Sequence, residues 1–430
     1  MSIDDFDPQY LVTLDEIYHS HWIAKKRRRM AILRQAVDAF WPDGHSTRLI
    51  HITGTNGKGS VAHYLTQGLG FAGATGSWTG PHVFDYAERF HINGEPASHA
   101  EIAAIYRSRL APYQDAYTAE HPDASLSFAE LGILLALHLF QRHEVVWAAM
   151  EVGAGGRYTP LMGLDMHASL LTNIGHDHPK TLGAKPWQRA MEKAGIARPG
   201  QPFFTADQGE TLAYVCATAA AEGAEVHVLE DRDLADLPPG PDYQRRNQAL
   251  ACKVIRHFYP EKGNRDLAQT MTARLPGRFG FLRENVVADV AHNPDKMARL
   301  AERLEHTYPG ETYVFLVGLT RERESVAVFA PIMPLAKHII ITGASYAGID
   351  PHEIMSQLRD HYPQGPSMEV IAEPQEAYQH GLTLAVQGTK LILTGSAYMI
   401  EQAANPNPFI RHLNASYGWR TTESTSADRS

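Results

Sequence analysis

Short apolar runs rich in β-branched residues alternate with helical stretches along most of this chain, and this alternation restricts the fold more than any other feature. In the first half, the strand-like runs are residues 49–53, 145–151 and 168–173, and helical stretches begin at Lys58 and cover residues 187–196. Strands that alternate with helices predict a parallel sheet covered by helices. We therefore expect an α/β fold.

The same alternation starts again after residue 278 and predicts a second, smaller, doubly wound domain. A loop with three prolines, residues 237–241, and a helical stretch, 242–258, precede it. The later strands and helices are predicted at residues 286–289, 295–306, 312–318, 338–342, 351–361 and 390–395. A chain of 430 residues, 44% of them hydrophobic, can form more than one core. The predicted layout is domains at 1–277 and 278–415, divided near Gly277, and a disordered tail at 416–430.

Composition narrows the class of partner and the compartment. The net charge of −9 argues against a protein held to nucleic acid by overall charge, so we expect no nucleic-acid partner. Two cysteines, Cys216 and Cys252, are too few for a disulfide framework, which favours a reducing compartment. No apolar run is long enough to span a membrane or to form a signal core. We expect a cytoplasmic protein with no membrane contact.

The only dense run of charge is basic and covers residues 25–29, inside a segment from 14 to 40 that otherwise predicts one helix. A solvated helix face is the simpler interpretation of such a run. The alternative is an electropositive rim that attracts an anionic substrate.

A glycine-rich segment joins the first apolar strand to a helix, and we call it the phosphate loop. It reads Gly54, Thr55, Asn56, Gly57, Lys58, Gly59 and Ser60. Glycines let successive backbone N–H groups converge on phosphate oxygens, and a lysine at the helix N-terminus adds positive potential. The strict pattern is not met, because Ile52 replaces its first glycine and Gly59 follows the lysine. The alternative is an ordinary strand-to-helix turn.

Two further candidates lie where predicted strands end. Glu151 closes an apolar strand, and His178 follows another. Parallel sheets place functional groups at this edge, and a carboxylate there can hold Mg²⁺ together with phosphate. The simpler alternatives are a salt-bridged carboxylate and a histidine that makes structural hydrogen bonds.

The phosphate loop resembles that of the folylpolyglutamate and dihydrofolate synthases, the folate branch of the Mur ligase superfamily. Further segments are similar to this family, in the family's order, over roughly residues 10–410. They are Thr79-Gly80-Pro81-His82, Glu88-Arg89, Ile92-Asn93-Gly94, residues 151–157, Thr172-Asn173-Ile174-Gly175, Asp177-His178, residues 192–196, Gln244, Asn247, Pro276-Gly277-Arg278, Asp289, residues 291–294, Thr394-Gly395-Ser396 and Tyr398.

The resemblance implies a P-loop Mur-ligase-like ATP-binding domain with a parallel sheet plus a smaller Rossmann-like C-terminal domain. It implies an ATP-dependent amide ligase that activates a carboxylate as an acyl phosphate and adds L-glutamate to a folate or pteroate. The implied cofactors are ATP and two Mg²⁺ ions, and the family is commonly monomeric. Helix 187–196 carries a lysine, Lys193, that is often carbamylated in this superfamily, although a solvent-facing lysine is the simpler interpretation.

The resemblance also assigns roles residue by residue. The implied catalytic residues are Lys58, Glu151, His178, Lys193 and His292. ATP is expected at the phosphate loop and at Asn247, Arg278 and Asp289. The implied magnesium ligands are Ser60, Glu151, His178 and Lys193.

Four departures from the family fall close to these residues. Gly80 replaces a serine whose hydroxyl faces magnesium, and apolar residues at 158–162 replace a polar run. Ala87 replaces an asparagine, and the segment between Asp207 and Gln244 is shorter than usual. Two alternatives therefore stay open: a related ligase with a non-folate acceptor, and a nucleotide-binding scaffold without turnover.

Overall fold

The computed structural model describes residues 8–19, 26–122, 124–175, 179–271, 279–321, 323–344, 348–385 and 388–407. The chain divides into two compact units. The first comprises residues 7–82 and 86–273, and the second comprises 1–6, 83–85 and 274–430. The boundary predicted near Gly277 and the tail predicted at 416–430 lie outside the described residues.

The first unit contains eight strands and eleven α-helices among the described residues. The strands are β1 (Arg48–Thr53), β2 (Thr75–Trp78), β3 (Phe90–Ile92), β4 (Glu95–Pro96), β5 (Trp147–Glu151), β6 (Ala168–Leu171), β7 (Pro202–Thr205) and β8 (Glu225–Val228). The helices are α1 (Pro8–His19), α2 (Lys26–Phe40), α3 (Lys58–Gly68), α4 (His99–Ile105), α5 (Ala111–Glu120), α6 (Phe128–Arg142), α7 (Pro179–Leu182), α8 (Pro186–Ala194), α9 (Leu212–Ala221), α10 (Asp242–Phe258) and α11 (Asn264–Thr270).

These strands form one sheet in the order β4-β3-β2-β5-β1-β6-β7-β8. Strand β1 lies between β5 and β6 and runs parallel to both, with Ile52 opposite Glu151 and Thr53 opposite Leu171. Ile50 and Ile52 are buried in a core that α3 and α10 complete. Because the neighbouring strands are parallel, their carboxyl ends share one edge, where α/β sheets bind ligands.

The expected parallel sheet is confirmed at its centre and is wrong at one edge. Strand β3 pairs antiparallel with β2, and β4 pairs antiparallel with β3. Both strands are short, and no alternation of hydrophobic residues marks them in the sequence. This antiparallel edge brings Arg89 back beside Thr79, whose backbone N–H donates to the Arg89 carbonyl at 3.0 Å.

The second unit is a smaller doubly wound sheet, as the sequence predicts. Its strand order is β13-β12-β11-β14-β10-β9, and β9 alone is antiparallel to its neighbour among the described pairs. The strands are β9 (Gly280–Arg283), β10 (Val286–Asp289), β11 (Tyr313–Val317), β12 (Ala336–Ile341), β13 (Ser367–Val370) and β14 (Leu391–Thr394). The helices are α12 (Pro294–Thr307), α13 (Ser325–Phe329), α14 (Pro351–His361), α15 (Pro374–Leu384) and α16 (Ala397–Ala404).

The N-terminal segment predicted as one helix from residue 14 to 40 is helical wherever it is described. It contains the end of α1 and all of α2, and residues 20–25 between them lie outside the described residues. The solvated-face interpretation of the basic run is wrong at Arg29. Its side chain is 8% exposed, and its Nη1 donates to Glu130 at 2.8 Å and to the Ser125 carbonyl at 2.7 Å. The partner lies 101 positions later, so the pattern of charge alone does not reveal it.

No helix in the described parts of the chain combines the length and the apolar character needed to cross a bilayer. Cys252 is buried and Cys216 is half-buried, and both are free thiols.

We predict that Arg29→Ala lowers the free energy of unfolding by about 3–5 kcal/mol, because it leaves the Glu130 carboxylate buried without its cation. Chemical denaturation followed by circular dichroism measures this loss. The matched control is Arg34→Ala, since Arg34 is 42% exposed in its pairs with Asp38 and Asp165 and such pairs contribute less than about 1 kcal/mol.

The stability of the same variants can also be compared at different pH values. Burial raises the pKa of Glu130, so its folded state takes up a proton more readily than its unfolded state. The decrease in the free energy of unfolding caused by Arg29→Ala should therefore become smaller as the pH is lowered, because a protonated Glu130 needs no cation. Equal losses in both variants at neutral pH would contradict the prediction.

Candidate functional site

The phosphate loop begins where β1 ends, and two of its glycines have backbone angles that other residues avoid. Gly54 has φ 140° and Gly57 has φ 84°. A Cβ atom on Gly54 would lie 1.9 Å from the Thr172 hydroxyl, so the space as well as the angle requires glycine. The loop that the sequence predicts is therefore a tightly fitted turn that leads into α3.

The segment after β6 holds this loop in shape. The N–H groups of Thr55 and Asn56 donate to Asn173, at 2.9 Å to its carbonyl and 3.1 Å to its side-chain oxygen. Thr172 Oγ1 donates to the Asn56 carbonyl at 2.6 Å, and the Gly175 N–H donates to Thr55 Oγ1 at 2.9 Å. Thr172 and Asn173, which the resemblance includes without a role, thus hold the phosphate loop in shape. Their position directly after β6, the strand next to β1, was the sequence feature that could have indicated this role.

Two lysines converge on one atom of the loop. Lys58 Nζ donates to the Gly54 carbonyl at 3.1 Å, and Lys193 Nζ donates to the same oxygen at 3.0 Å. The Lys193 side chain is 2% exposed, so the interpretation of a solvent-facing lysine is wrong. Two residues predicted as catalytic, 135 positions apart in sequence, therefore meet beside the phosphate loop.

Glu151 closes β5 next to these groups and is 4% exposed. Its Oε1 lies 3.8 Å from Lys58 Nζ, and its Oε2 accepts from the Gly80 N–H at 3.3 Å. Ser60 lies in the first turn of α3, and its hydroxyl has no hydrogen-bonding partner among the described residues. A carboxylate and a hydroxyl beside a phosphate site suit Mg²⁺, which takes few protein oxygens and completes its shell with phosphate and water.

No group of three or more histidine, cysteine, aspartate or glutamate side chains in the described residues could hold an ion. His178, another predicted ligand, lies outside the described residues.

Helix α8 brings Lys193 to the loop because two glycines let it approach closely. A Cβ on Gly155 would lie 2.9 Å from Glu192 Oε1, and one on Gly156 would lie 2.8 Å from the Lys193 carbonyl. The Arg157 N–H donates to the Glu192 carbonyl at 3.0 Å. The segment after β5 is thus the surface on which the lysine-bearing turn of α8 rests.

Two residues without a predicted role, Arg189 and Asp207, hold the backbone at residues 174–175 and 183–184 and at the start of α9. Arg189 is buried, and its guanidinium donates to the carbonyls of Gly175, Gly183 and Ala184 at 2.9–3.0 Å. The Asp207 carboxylate accepts from the Ile174 N–H at 2.8 Å and from the Thr211 hydroxyl at 2.7 Å.

The sequence could have indicated a role for Arg189 but not for Asp207. Arg189 precedes Lys193 by four positions, one turn earlier on α8, which was an available signal. Asp207 has no motif around it. Burial raises the pKa of Asp207, since its hydrogen bonds offset only part of the desolvation.

Asn247, predicted to bind ATP, also lies at the loop. It is buried on α10, and a Cβ atom on Gly57 would lie 2.6 Å from its Oδ1. Arg278, predicted for the same role, lies outside the described residues.

Asp289 and His292 belong to the second unit and follow β10. The two Asp289 oxygens accept from the N–H groups of Phe279 at 2.8 Å and Ala291 at 2.9 Å. His292 Nδ1 lies 2.8 Å from the Val290 carbonyl, and His292 Nε2 lies 3.1 Å from Lys296 Nζ. The His292 ring is thus held between a backbone carbonyl and a lysine of α12.

The segment that departs from the family is ordered. Residues Pro160–Gly163 form a 3₁₀ turn in which Leu161 is buried, and the Arg198 guanidinium donates to the carbonyls of Leu161 and Met162. A Cβ on Gly163 would lie 2.5 Å from the Met30 carbonyl, so this turn packs directly on α2. The apolar replacement therefore packs on α2, with Leu161 buried and Pro160 and Met162 half-buried.

Comparisons with known proteins agree with this geometry. Two family models match the chain: the Mur ligase middle domain over residues 52–184, and the glutamate ligase domain of Mur ligases over residues 277–397. A dihydrofolate synthase/folylpolyglutamate synthase of Bacillus subtilis is 29% identical over 297 residues, which cover 61% of this chain and 68% of that protein. A probable bifunctional folylpolyglutamate synthase/dihydropteroate synthase of Haloferax volcanii is 26% identical over 82% of this chain, which spans 45% of its length.

Solved structures share the fold. A Mycobacterium tuberculosis folylpolyglutamate synthase complexed with ADP superposes with a TM-score of 0.79 at 23% identity, over 91% of this chain and 97% of that one. A Yersinia pestis bifunctional folylpolyglutamate synthase/dihydrofolate synthase complexed with AMPPNP and a manganese ion has a TM-score of 0.74 at 24% identity, over 91% and 96%.

We predict that Gly54→Ala abolishes measurable binding of an ATP analogue, because its Cβ atom collides with Thr172 and forces the loop to move. Isothermal titration with AMPPNP measures the affinity. The control is Gly200→Ala, since Gly200 also has a positive φ, 69°, but nothing within 4 Å of an added Cβ. Backbone strain is then present in both variants and the collision in only one. Equal binding by the two variants would contradict the fitted-loop account.

Proposed function

Since the chain belongs to the folylpolyglutamate and dihydrofolate synthase family of the Mur ligase superfamily, we propose that it is an ATP-dependent amide ligase that adds L-glutamate to a folate or pteroate carboxylate. The observation that carries the proposal is the convergence of Lys58 and Lys193 on Gly54, beside the buried Glu151. A phosphate loop with two amines and a carboxylate at its edge suits the transfer of a phosphoryl group to a carboxylate.

The reaction has two steps. A carboxylate oxygen of the acceptor attacks the γ-phosphorus of ATP, the bond to the bridging oxygen of ADP breaks, and an acyl phosphate forms. The neutral amine of glutamate then attacks the acyl carbon, phosphate leaves, and the nitrogen loses a proton. Lys58 and the N–H groups at the start of α3 bind the phosphate oxygens and spread the charge that develops on them, since the N–H groups of Thr55 and Asn56 donate to Asn173. Burial around Lys193 and Glu151 excludes water, which would hydrolyse the acyl phosphate.

Magnesium fits the oxygen donors of Ser60 and Glu151, with His178 and a carbamylated Lys193 as proposed ligands of a second ion. When bound, the ions would neutralise the phosphate oxygens and orient them. A carbamate on Lys193 would turn a cation into an anionic oxygen ligand while keeping one N–H to donate to the Gly54 carbonyl.

The remaining assignments follow the family resemblance. We propose that Asn247, Arg278 and Asp289 bind ATP and that His292 contributes to catalysis. Asn247 is supported by its position against Gly57. Monomeric state and cytoplasmic location stay predictions from the sequence.

A non-folate acceptor is the second candidate function. It is favoured by the replaced segment 158–162, where Leu161 is buried, Met162 is half-buried and Arg198 binds two backbone carbonyls in place of the family's polar run. ATP chemistry is common to both candidates, so only the acceptor distinguishes them.

We predict that the purified protein forms a product heavier than its acceptor by one glutamyl residue, from ATP, L-glutamate and a reduced folate or dihydropteroate. Mass spectrometry of the products tests this, with a panel of other carboxylates run in parallel. Lys58→Ala should lower turnover at least about 100-fold, because it removes a charge that stabilises the phosphoryl group in transit.

Lys337→Ala is the matched control, since Lys337 is exposed in the second unit. Product from a non-folate carboxylate alone would favour the second candidate. Phosphate release that is independent of acceptor and glutamate would contradict both ligase functions.

We further predict that Lys193→Ala lowers activity severely and that acetate partly restores it. Short carboxylates supply the anion that the carbamate would provide, and the charge at this position decides whether metal ions bind there. Activity of the unmodified protein should also fall when bicarbonate is stripped at mildly acid pH.

The control is Lys58→Ala, which acetate should not rescue, because that lysine acts as a cation. Loss of activity without rescue by any small carboxylate would leave a role for the Lys193 amine and reject the carbamate. Unchanged activity would reject both.

A further inference from the structure

An arginine beside the phosphate loop has hydrogen-bonding capacity that the described protein does not use. Arg89 donates its Nε–H to His82 Nδ1 at 2.8 Å, and its guanidinium lies over the Phe128 ring at 5.1 Å. Neither of its Nη atoms has a hydrogen-bonding partner or a carboxylate within the described residues. The group is half-buried, and a guanidinium in such a place ordinarily pairs with an anion.

Gly80 creates the space that this guanidinium occupies. A Cβ atom on Gly80 would lie 2.8 Å from Arg89 Nη1, closer than the two atoms can approach. Gly80 does not have a positive φ, so its backbone conformation does not demand glycine. The atom that an added Cβ would meet is the end of a flexible side chain, so a residue with a Cβ at position 80 would push the Arg89 guanidinium aside.

The antiparallel edge of the sheet fixes this arrangement. Trp78 pairs with Phe90, and the Thr79 N–H donates to the Arg89 carbonyl, so Arg89 is held opposite the turn that contains Gly80. The other side of Gly80 faces the site, because its N–H donates to Glu151 Oε2 and Glu151 Oε1 lies 3.8 Å from Lys58 Nζ. Arg89 thus lies against Gly80, whose N–H contacts Glu151, and Glu151 in turn lies beside Lys58.

We propose that Arg89 binds the terminal phosphate of the nucleotide and that Gly80 is the residue that permits it. A serine in this position would use its hydroxyl toward a metal ion. Here the guanidinium takes that space and supplies a fixed positive charge with two donors for an anionic oxygen. A free cation would be repelled from this side of Glu151, whereas a phosphoryl oxygen would be attracted. This inference rests on the proposed function, because that function requires ATP at the site.

The test compares two nucleotides that differ by the phosphate in question. Affinities for AMPPNP and for ADP are measured by isothermal titration at one fixed magnesium concentration. Arg89→Ala should weaken AMPPNP about tenfold or more, the size expected for charged hydrogen bonds, and change ADP less than about twofold. Arg89→Lys keeps the charge without the paired donors and should lose an intermediate amount.

Gly80 provides an independent route to the same contact. Gly80→Ala adds only the Cβ atom that displaces the guanidinium, so it should reproduce the selective loss of AMPPNP. The double variant should be no weaker than Arg89→Ala alone, because both changes remove one interaction. Gly70→Ala, with nothing within 4 Å of its added Cβ, and Arg232→Ala, with a side chain 79% exposed, are the matched controls.

Each outcome decides one question. Three results would overturn the proposal. They are an equal loss of affinity for AMPPNP and ADP, an unchanged AMPPNP affinity in Arg89→Ala, and additive losses of AMPPNP affinity in the double variant. Unchanged AMPPNP affinity together with weaker binding of L-glutamate would assign Arg89 to a carboxylate and overturn it too. An unmodified protein that binds neither nucleotide would refute the proposed function instead. If Arg89→Ala unfolds at a lower temperature than the unmodified protein, the AMPPNP and ADP affinities of Arg89→Lys and Gly80→Ala test the proposal instead.

Discussion

The carbonyl oxygen of Gly54 is the point on which the candidate site depends. It accepts hydrogen bonds from the amines of Lys58 and Lys193, and a carbonyl has two lone pairs to offer. One lysine begins α3 and the other lies on α8, so the two bonds tie both helices to the end of β1. The position of each cation is therefore set by the backbone of the same loop that is to hold phosphate. No further element is needed to place the two amines.

Much of this site could be predicted from sequence because its residues occur in local patterns. The glycines of the loop, Glu151 at a strand end and the lysine of α8 all lie in short segments whose order identifies them. Parallel strands carry the phosphate loop and Glu151 to one edge whatever the connections between them, so the fold class predicts that these two meet, whereas Lys193 reaches them from α8.

The residues that sequence reasoning missed act through distant partners. Arg29 is buried against Glu130, which is 101 positions away, and Asp207 holds Ile174 from a loop without a motif. The antiparallel strands β3 and β4 are too short to show an alternating pattern. Their pairing with β2 nevertheless decides which residue stands beside Gly80. Tertiary contact overrides local propensity in each case, and a single sequence contains no record of it.

The contacts from Thr172 and Asn173 have a consequence for how the phosphate loop can be reused. The loop takes its shape from hydrogen bonds supplied by the segment after β6 and from the space that Thr172 leaves for Gly54. Its seven residues are therefore half of a two-part module, and the other half is encoded more than a hundred positions later. A protein engineer who moved residues 54–60 into another strand-and-helix unit would transfer the glycines without the conformation. The smallest portable unit is β1, α3 and the first residues beyond β6 together.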